Sequence, residues 1–172
     1  MSTSREDMIR VDQAGEFGAT RIYAGQLAVM GDRGPHSAEI RGMAEQEAGH
    51  RAEFDALMAK RGVRPTVLQP FWNMAGYALG AGTALIGPEA AMACTAAVET
   101  EIDKHYSDQL DELEAADDDP ELADMIRRFR EDEREHRDAA FEAGAERAPA
   151  YGLLSAAIRL GCKVAIKVSQ KV

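Results

Sequence analysis

Cysteine is scarce in this chain of 172 residues, with only Cys94 and Cys162. They form no Cys-x-x-Cys pair and no zinc-ligand spacing. A disulfide framework is therefore not expected, and a reducing compartment fits better. A cationic surplus is also missing. The formal charge of −10 at pH 7 argues against nucleic acid as a partner. The segment Met1 to Asp7 has no apolar run and is not arginine-rich, so neither a signal peptide nor a transit peptide is expected there. No Gly-x-Gly-x-x-Gly fingerprint occurs, since Gly76, Gly80 and Gly82 have the wrong spacing for a nucleotide loop. Charge itself is absent from Pro65 to Pro88, and acidic residues are absent from Tyr151 to Val172.

What is present is a helical pattern. Hydrophobic residues make up 45% and charged residues 29%, the balance of a globular chain. The length suits one domain spanning 1–172. Leu122, Ile126, Phe129, Glu133, His136 and Ala140 recur at the helical period and form one face. Four of these six are apolar, so the face should point into a core. A carboxylate and an imidazole one turn apart on it are costly unless something neutralises them. The arrangement occurs twice: Ile40, Met43, Glu47, His50, Phe54 and Leu57 repeat it.

The remaining helices follow in order. A first helix is expected over about 5–30, with Ile9, Glu16, Tyr23, Leu27 and Met30 on one face and Gly31 at its stop. The second, about 36–61, carries Glu47 and His50 and completes a first helix pair over 5–62. Gly87-Pro88 opens a third long helix to about Ala116, whose inner face holds Met92, Glu99, Tyr106, Leu110 and Leu113 while His105 points away. Asp119 caps the next helix and Pro120 takes its first position; that helix runs to about Ala145 and closes a second pair over 88–146. The acidic runs around 111–121 and 131–135 read as solvated surface, apart from Glu133.

The uncharged segment 65–88 supports two readings: a buried crossover helix, or a segment that dips into one leaflet or lines an apolar channel. Gln69, Pro70, Asn73 and four glycines make it a poor membrane span. In the last segment, 149–172, Arg159, Lys163, Lys167 and Lys171 form a basic stripe. Leu154, Ile158, Ala165, Val168 and Val172 lie largely away from it. Such a helix either binds an anionic membrane surface or docks its apolar side on the bundle.

A lone glutamate precedes each Glu-x-x-His at a similar interval, Glu16 before Glu47 and Glu99 before Glu133. This is the pattern of an all-α four-helix bundle with one long crossover and an inward-facing metal site. Four carboxylates and two imidazoles balance two divalent ions. Hard oxygen with borderline nitrogen suits iron or manganese rather than zinc, and so points to oxygen chemistry.

Several stretches then resemble the demethoxyubiquinone hydroxylase family of ubiquinone biosynthesis. They are Ile9 to Ala19, Arg21 to Gln26, Val63 to Leu68, Leu79 to Leu85, Ala91 to Thr95, Glu131 to His136 and Ala148 to Tyr151, so the likeness covers nearly the whole chain. The resemblance implies a ferritin-like di-iron monooxygenase attached peripherally to a membrane, with Glu16, Glu47, His50, Glu99, Glu133 and His136 as ligands to two Fe²⁺ ions. It places the family's His–Tyr pair near substrate on His105 and Tyr106. Gln13 stands where relatives carry histidine, a departure that leaves the metal set intact.

The implied reaction converts 3-demethoxyubiquinol to 3-demethylubiquinol with O₂ and two electrons from an external reductant such as NADH. The substrate is a polyprenylated quinol. Other ubiquinone-biosynthesis proteins are candidate partners, and a homo-oligomer is compatible with the pattern. The expected location is the cytoplasmic side of a bacterial inner membrane, or the matrix side of the mitochondrial inner membrane for a processed form. Two rival readings share some features: a ferritin- or rubrerythrin-like iron or peroxide handler, and a non-enzymatic helical adaptor at a membrane surface.

Overall fold

The computed structural model describes residues 4–171. The fold is all-α and ferritin-like: α1 (Arg5–Met30), α2 (Ser37–Arg61), α3 (Gln69–Ile86), α4 (Pro88–Ala116), α5 (Pro120–Glu142) and α6 (Tyr151–Ser169), with a 3₁₀ turn at Ala145–Arg147. α1 pairs with α2, and α4 with α5. α3 lies along α1, and α6 lies mainly on α4. Contacts between α1 and α4 run in opposite senses along the two helices: Glu16 meets Tyr106, Tyr23 meets Glu99, and Gln26 meets Ala91. The two helices are therefore antiparallel.

Helix ends follow local chemistry. Ser4 caps α1 by accepting from Asp7 N. α5 ends at Glu142 rather than near Ala145, because Gly144 adopts φ 95° and the chain tightens into the 3₁₀ turn. α6 begins at Tyr151 rather than at Pro149, after Ala150 in the left-handed region. Val172, placed by the sequence in that helix, lies outside the described residues.

Asp119 caps α5 by accepting from Leu122 N at 3.2 Å and is ion-paired with Arg61 of α2. The Arg61 guanidinium holds its carboxyl below the ordinary value. A carboxyl depressed in the folded state adds stability above its unfolded value, about 3.9, and that stability fades as pH falls through the folded value. Asp119→Ala is thus expected to cost roughly 1–2 kcal/mol near neutrality. The deficit should shrink below about pH 4, as chemical denaturation of both proteins across pH would show.

α3 is not a buried crossover. Its small residues Gly76 and Gly80 face α1, and a methyl at Gly80 would overlap the Ile22 backbone. Phe71, Met74 and Leu85 are 58%, 75% and 75% exposed. No helix among the described residues is long and apolar enough to cross a membrane. The α6 stripe is split. Arg159 donates to Glu101 of α4 at 2.6 Å and Lys163, itself exposed, lies 3.7 Å from the same carboxylate, so those two reach toward the bundle. Lys167 and Lys171 stay exposed.

Candidate metal centre

The bundle interior holds an acidic cluster between two apolar layers. On one side Phe129 stacks on His50 at 4.0 Å and packs against Phe54. On the other, Tyr23 meets the edge of His136 among alanines of α4 and α5. Helical periodicity aims the side chains inward from four directions: Glu16 from α1, Glu47 and His50 from α2, Glu99 from α4, and Glu133 and His136 from α5. All six residues are at most 4% exposed.

They fall into two groups. Ligand atoms of Glu16, Glu47, His50 and Glu133 lie within 4.8 Å of one another, as do those of Glu47, Glu99, Glu133 and His136. Glu47 and Glu133 belong to both groups, so each can bridge two centres with its two oxygens. His50 Nδ1 sits 3.4 Å from Glu16 Oε2 and 3.3 Å from Glu133 Oε1. His136 Nδ1 is 3.2 Å from both Glu47 Oε1 and Glu133 Oε2.

Both Nδ1 atoms, both oxygens of Glu47, and one oxygen each of Glu16 and Glu133 are buried without a hydrogen-bond partner. So many orphaned polar atoms facing one centre fit cations as the missing partners. Burial, with the neighbouring carboxylates, pushes Glu47 and Glu99 well above the ordinary value. Burial opposes charge on Glu133 too, but the His136 and His50 rings outweigh it and bring it to about 2. Burial likewise opposes charge on His50, and Glu133 and Glu16 outweigh it, raising the ring to about 10. Without a metal, protons occupy the cluster in its place.

A surrounding set of residues fixes these groups. His50 Nε2 pairs with Asp132 Oδ2, and His136 Nε2 with Gln46 Oε1, each at 2.9 Å. Both rings thereby turn Nδ1 inward. Asp132 is not plain solvated surface, as the acidic run implied. The tyrosines cross over: Tyr23 of α1 donates to Glu99 Oε1 at 2.9 Å, and Tyr106 of α4 donates to Glu16 Oε1. Burial, reinforced by those carboxylates, keeps both phenols protonated far above their ordinary range.

His105, expected to point away from the inner face, is engaged rather than free. It is paired with the buried Asp12 at 2.9 Å, and Gln109 donates to the same carboxylate oxygen. Neither His105 nor Tyr106 lines the large apolar cavity next to the cluster. That cavity, about 540 Å³, lies between α1, α3, α4 and α6. Its wall includes Gly15 and Gly18, which flank Glu16, together with Ile22, Trp72, Ile102, Ile158 and Cys162. Trp72 buries its indole N–H without a protein partner. Cys94 and Cys162 are free, and burial pushes both thiols up to about 12.

The family model described as "Ubiquinone biosynthesis protein COQ7" matches residues 3–169. The chain belongs to the COQ7 family. A COQ7-family relative from Rhodospirillum rubrum, named 3-demethoxyubiquinol 3-hydroxylase, is 55% identical over 164 residues, covering 95% of this chain and 76% of that protein. The Homo sapiens protein named NADPH-dependent 3-demethoxyubiquinone 3-hydroxylase, mitochondrial, is 51% identical over 168 residues, 95% of this chain and 76% of its own length. The Saccharomyces cerevisiae protein named 5-demethoxyubiquinone hydroxylase, mitochondrial, is 42% identical over 179 residues, with 96% and 77% covered. The COQ7-family likeness thus spans all six helices.

Proposed function

We propose that this chain is a hydroxylating oxidoreductase of ubiquinone biosynthesis, converting 3-demethoxyubiquinol to 3-demethylubiquinol with O₂. The observation that carries this reading is the pair of carboxylate–histidine groups sharing Glu47 and Glu133, set against an apolar cavity. The names of the relatives support the same substrate and favour hydroxylation over iron storage or an adaptor role.

Glu16, Glu47, His50, Glu99, Glu133 and His136 would hold two iron ions. Such a pair supplies two electrons toward the reduction of O₂ when bound. Oxidation of the ring C–H to C–OH would give the other two, and a donor outside the site would restore the two that the ions lose; the relatives named NADPH-dependent make a nicotinamide the proposed donor. The apolar wall takes the quinol ring and the start of its prenyl tail and keeps water away. Gly15 and Gly18 leave room for the ring beside Glu16. The unpartnered Trp72 N–H is a donor for a quinol oxygen. Tyr106 holds the orientation of Glu16, and Asp12 holds His105 in place beside it.

Membrane attachment belongs to the same proposal. Met74 and Leu85 of α3 and Leu153 of α6 are each 75% exposed, on the two helices that flank the cavity. A long prenyl tail could enter between them directly from a bilayer.

The test is genetic and chemical together. In a bacterial strain lacking its own hydroxylase, this chain should restore ubiquinone, and a metal-site variant should leave the demethoxy intermediate to accumulate. Quinone profiles that show the intermediate despite good expression of the unaltered chain would refute the reading. Tyr106→Phe is expected to keep the fold and to lower iron affinity or turnover by about 10- to 100-fold, the usual cost of losing a partner of a metal ligand. Metal analysis and turnover per iron check it. Wild-type values for both would mean that the phenol only fills space.

A further inference from the structure

A second cavity, about 450 Å³, opens between α1, α2 and α3, and its character is the opposite of the first. Arg21, Arg51, Asp55 and Asn73 line it together with Phe17. Arg21 lies 5.4 Å over the Tyr77 ring and has no carboxylate partner among the described residues. That is unexpected in a chain with 30 acidic and 20 basic residues. Arg51 lies 4.7 Å over Phe17. The Nε atoms of both arginines are buried without a hydrogen-bond partner.

Asp55 is the one carboxylate in the wall. It is already engaged: one oxygen accepts from Gln13 at 2.8 Å, and the other lies 3.6 Å from Arg51 Nε. The wall therefore keeps a net positive charge and two buried Nε–H donors without a hydrogen-bond partner. A cation–π contact with an aromatic ring restrains each guanidinium before a ligand arrives. Two arginines lining one cavity match an anion with several charged oxygens, and phosphate is a group that Arg forks bind bidentately.

We propose that Arg21 and Arg51 form a binding site for a phosphate ester between α1, α2 and α3. Two sources share this chemistry. One is the headgroup of an anionic lipid, since Asn73 at the cavity lies next to the exposed Met74 on α3. The other is the phosphate of a soluble nucleotide.

The experiment uses the iron-loaded full chain and two probes: adenosine 2′,5′-bisphosphate by titration calorimetry, and phosphatidylcholine vesicles with and without phosphatidic acid by flotation. At least one probe should bind saturably. Arg21→Gln should weaken that binding about tenfold or more, with Arg21→Lys intermediate because it keeps the charge and loses the fork. Nucleotide binding identifies a soluble ligand, and phosphatidic-acid-dependent flotation alone identifies a headgroup. Lys167→Gln combined with Lys171→Gln should leave the Arg21-dependent component in place. Arg51→Gln is the second variant, and melting temperatures of all variants control for folding. Absence of saturable binding to both probes overturns the site. So does binding that Arg21→Gln and Arg51→Gln leave unchanged, as for phosphate held by the metals or vesicles held by α6.

Discussion

Glu133→Ala is expected to strip iron almost completely from the protein and to abolish hydroxylation. Glu133 belongs to both carboxylate–histidine groups, so its removal takes an oxygen ligand from each. His136 belongs to one group only, and His136→Ala should retain more iron than Glu133→Ala. Metal analysis of the two purified variants against wild type decides this, and full iron in Glu133→Ala would sink the site assignment. Stability carries a second signature. A ligand that binds only the folded state raises the melting temperature, so iron should stabilise wild type and do little for Glu133→Ala. Loading should also release protons. His50 stands at about 10 and so holds a proton at neutral pH that a metal must displace, and Glu47 and Glu99, both raised by burial, hold protons more tightly than free carboxylates do. Affinity should therefore rise with pH.

Gly80→Ala is expected to pry α3 from α1. An added Cβ would fall inside the Ile22 carbonyl oxygen and 2.7 Å from its carbon, and these are backbone atoms that no rotamer change can move. Inserting even one methylene into a packed contact typically costs about 1–3 kcal/mol, and a backbone clash belongs at or above the top of that range. A loss of about 3 kcal/mol would lower the melting temperature by roughly 6–12 °C in a chain of this size. Gly82→Ala, two residues on, is the control. Nothing lies within 4 Å of its Cβ, so the extra methyl should be neutral or stabilising. Because α3 also walls the apolar cavity, Gly80→Ala should lose quinol turnover before it loses iron. Equal melting temperatures for the two variants would show that α3 is not held by this contact.

The six residues of the metal cluster could be read from the sequence because each is a charge or imidazole on an otherwise apolar helix face. Burial contradicts their chemistry, and the contradiction marks them. The residues around them carry no such mark. Asp132 sits in an acidic run whose other members, Glu133 apart, are solvated, and only the approach of α5 to α2 sets it against His50. Gln46 and Asp12 are ordinary polar residues until a neighbouring helix brings His136 and His105 against them. Tyr23 and Tyr106 each follow a lone glutamate by seven residues, so the repeat was visible. That each serves the other glutamate depends on the antiparallel approach of α1 and α4, which periodicity within one helix does not encode. Glu101, two residues from Glu99, carries no such mark either, although it anchors α6 through Arg159 and Lys163.

The antiparallel relation of α1 and α4 also dictates the route of the chain between the two halves. α2 returns to the end where α1 began, whereas α4 must start at the far end to run against α1. The connection has to travel the length of the bundle, and the 18 residues of α3 supply about 27 Å at the helical rise. It can travel only on the outside, because the interior is filled by the four helices that carry the cluster. An internal two-fold arrangement thus obliges the protein to display one extra helix along its flank. Here that obligatory strut has glycines toward the bundle and large apolar side chains away from it, so the path that joins the halves also supplies a greasy threshold to the interior.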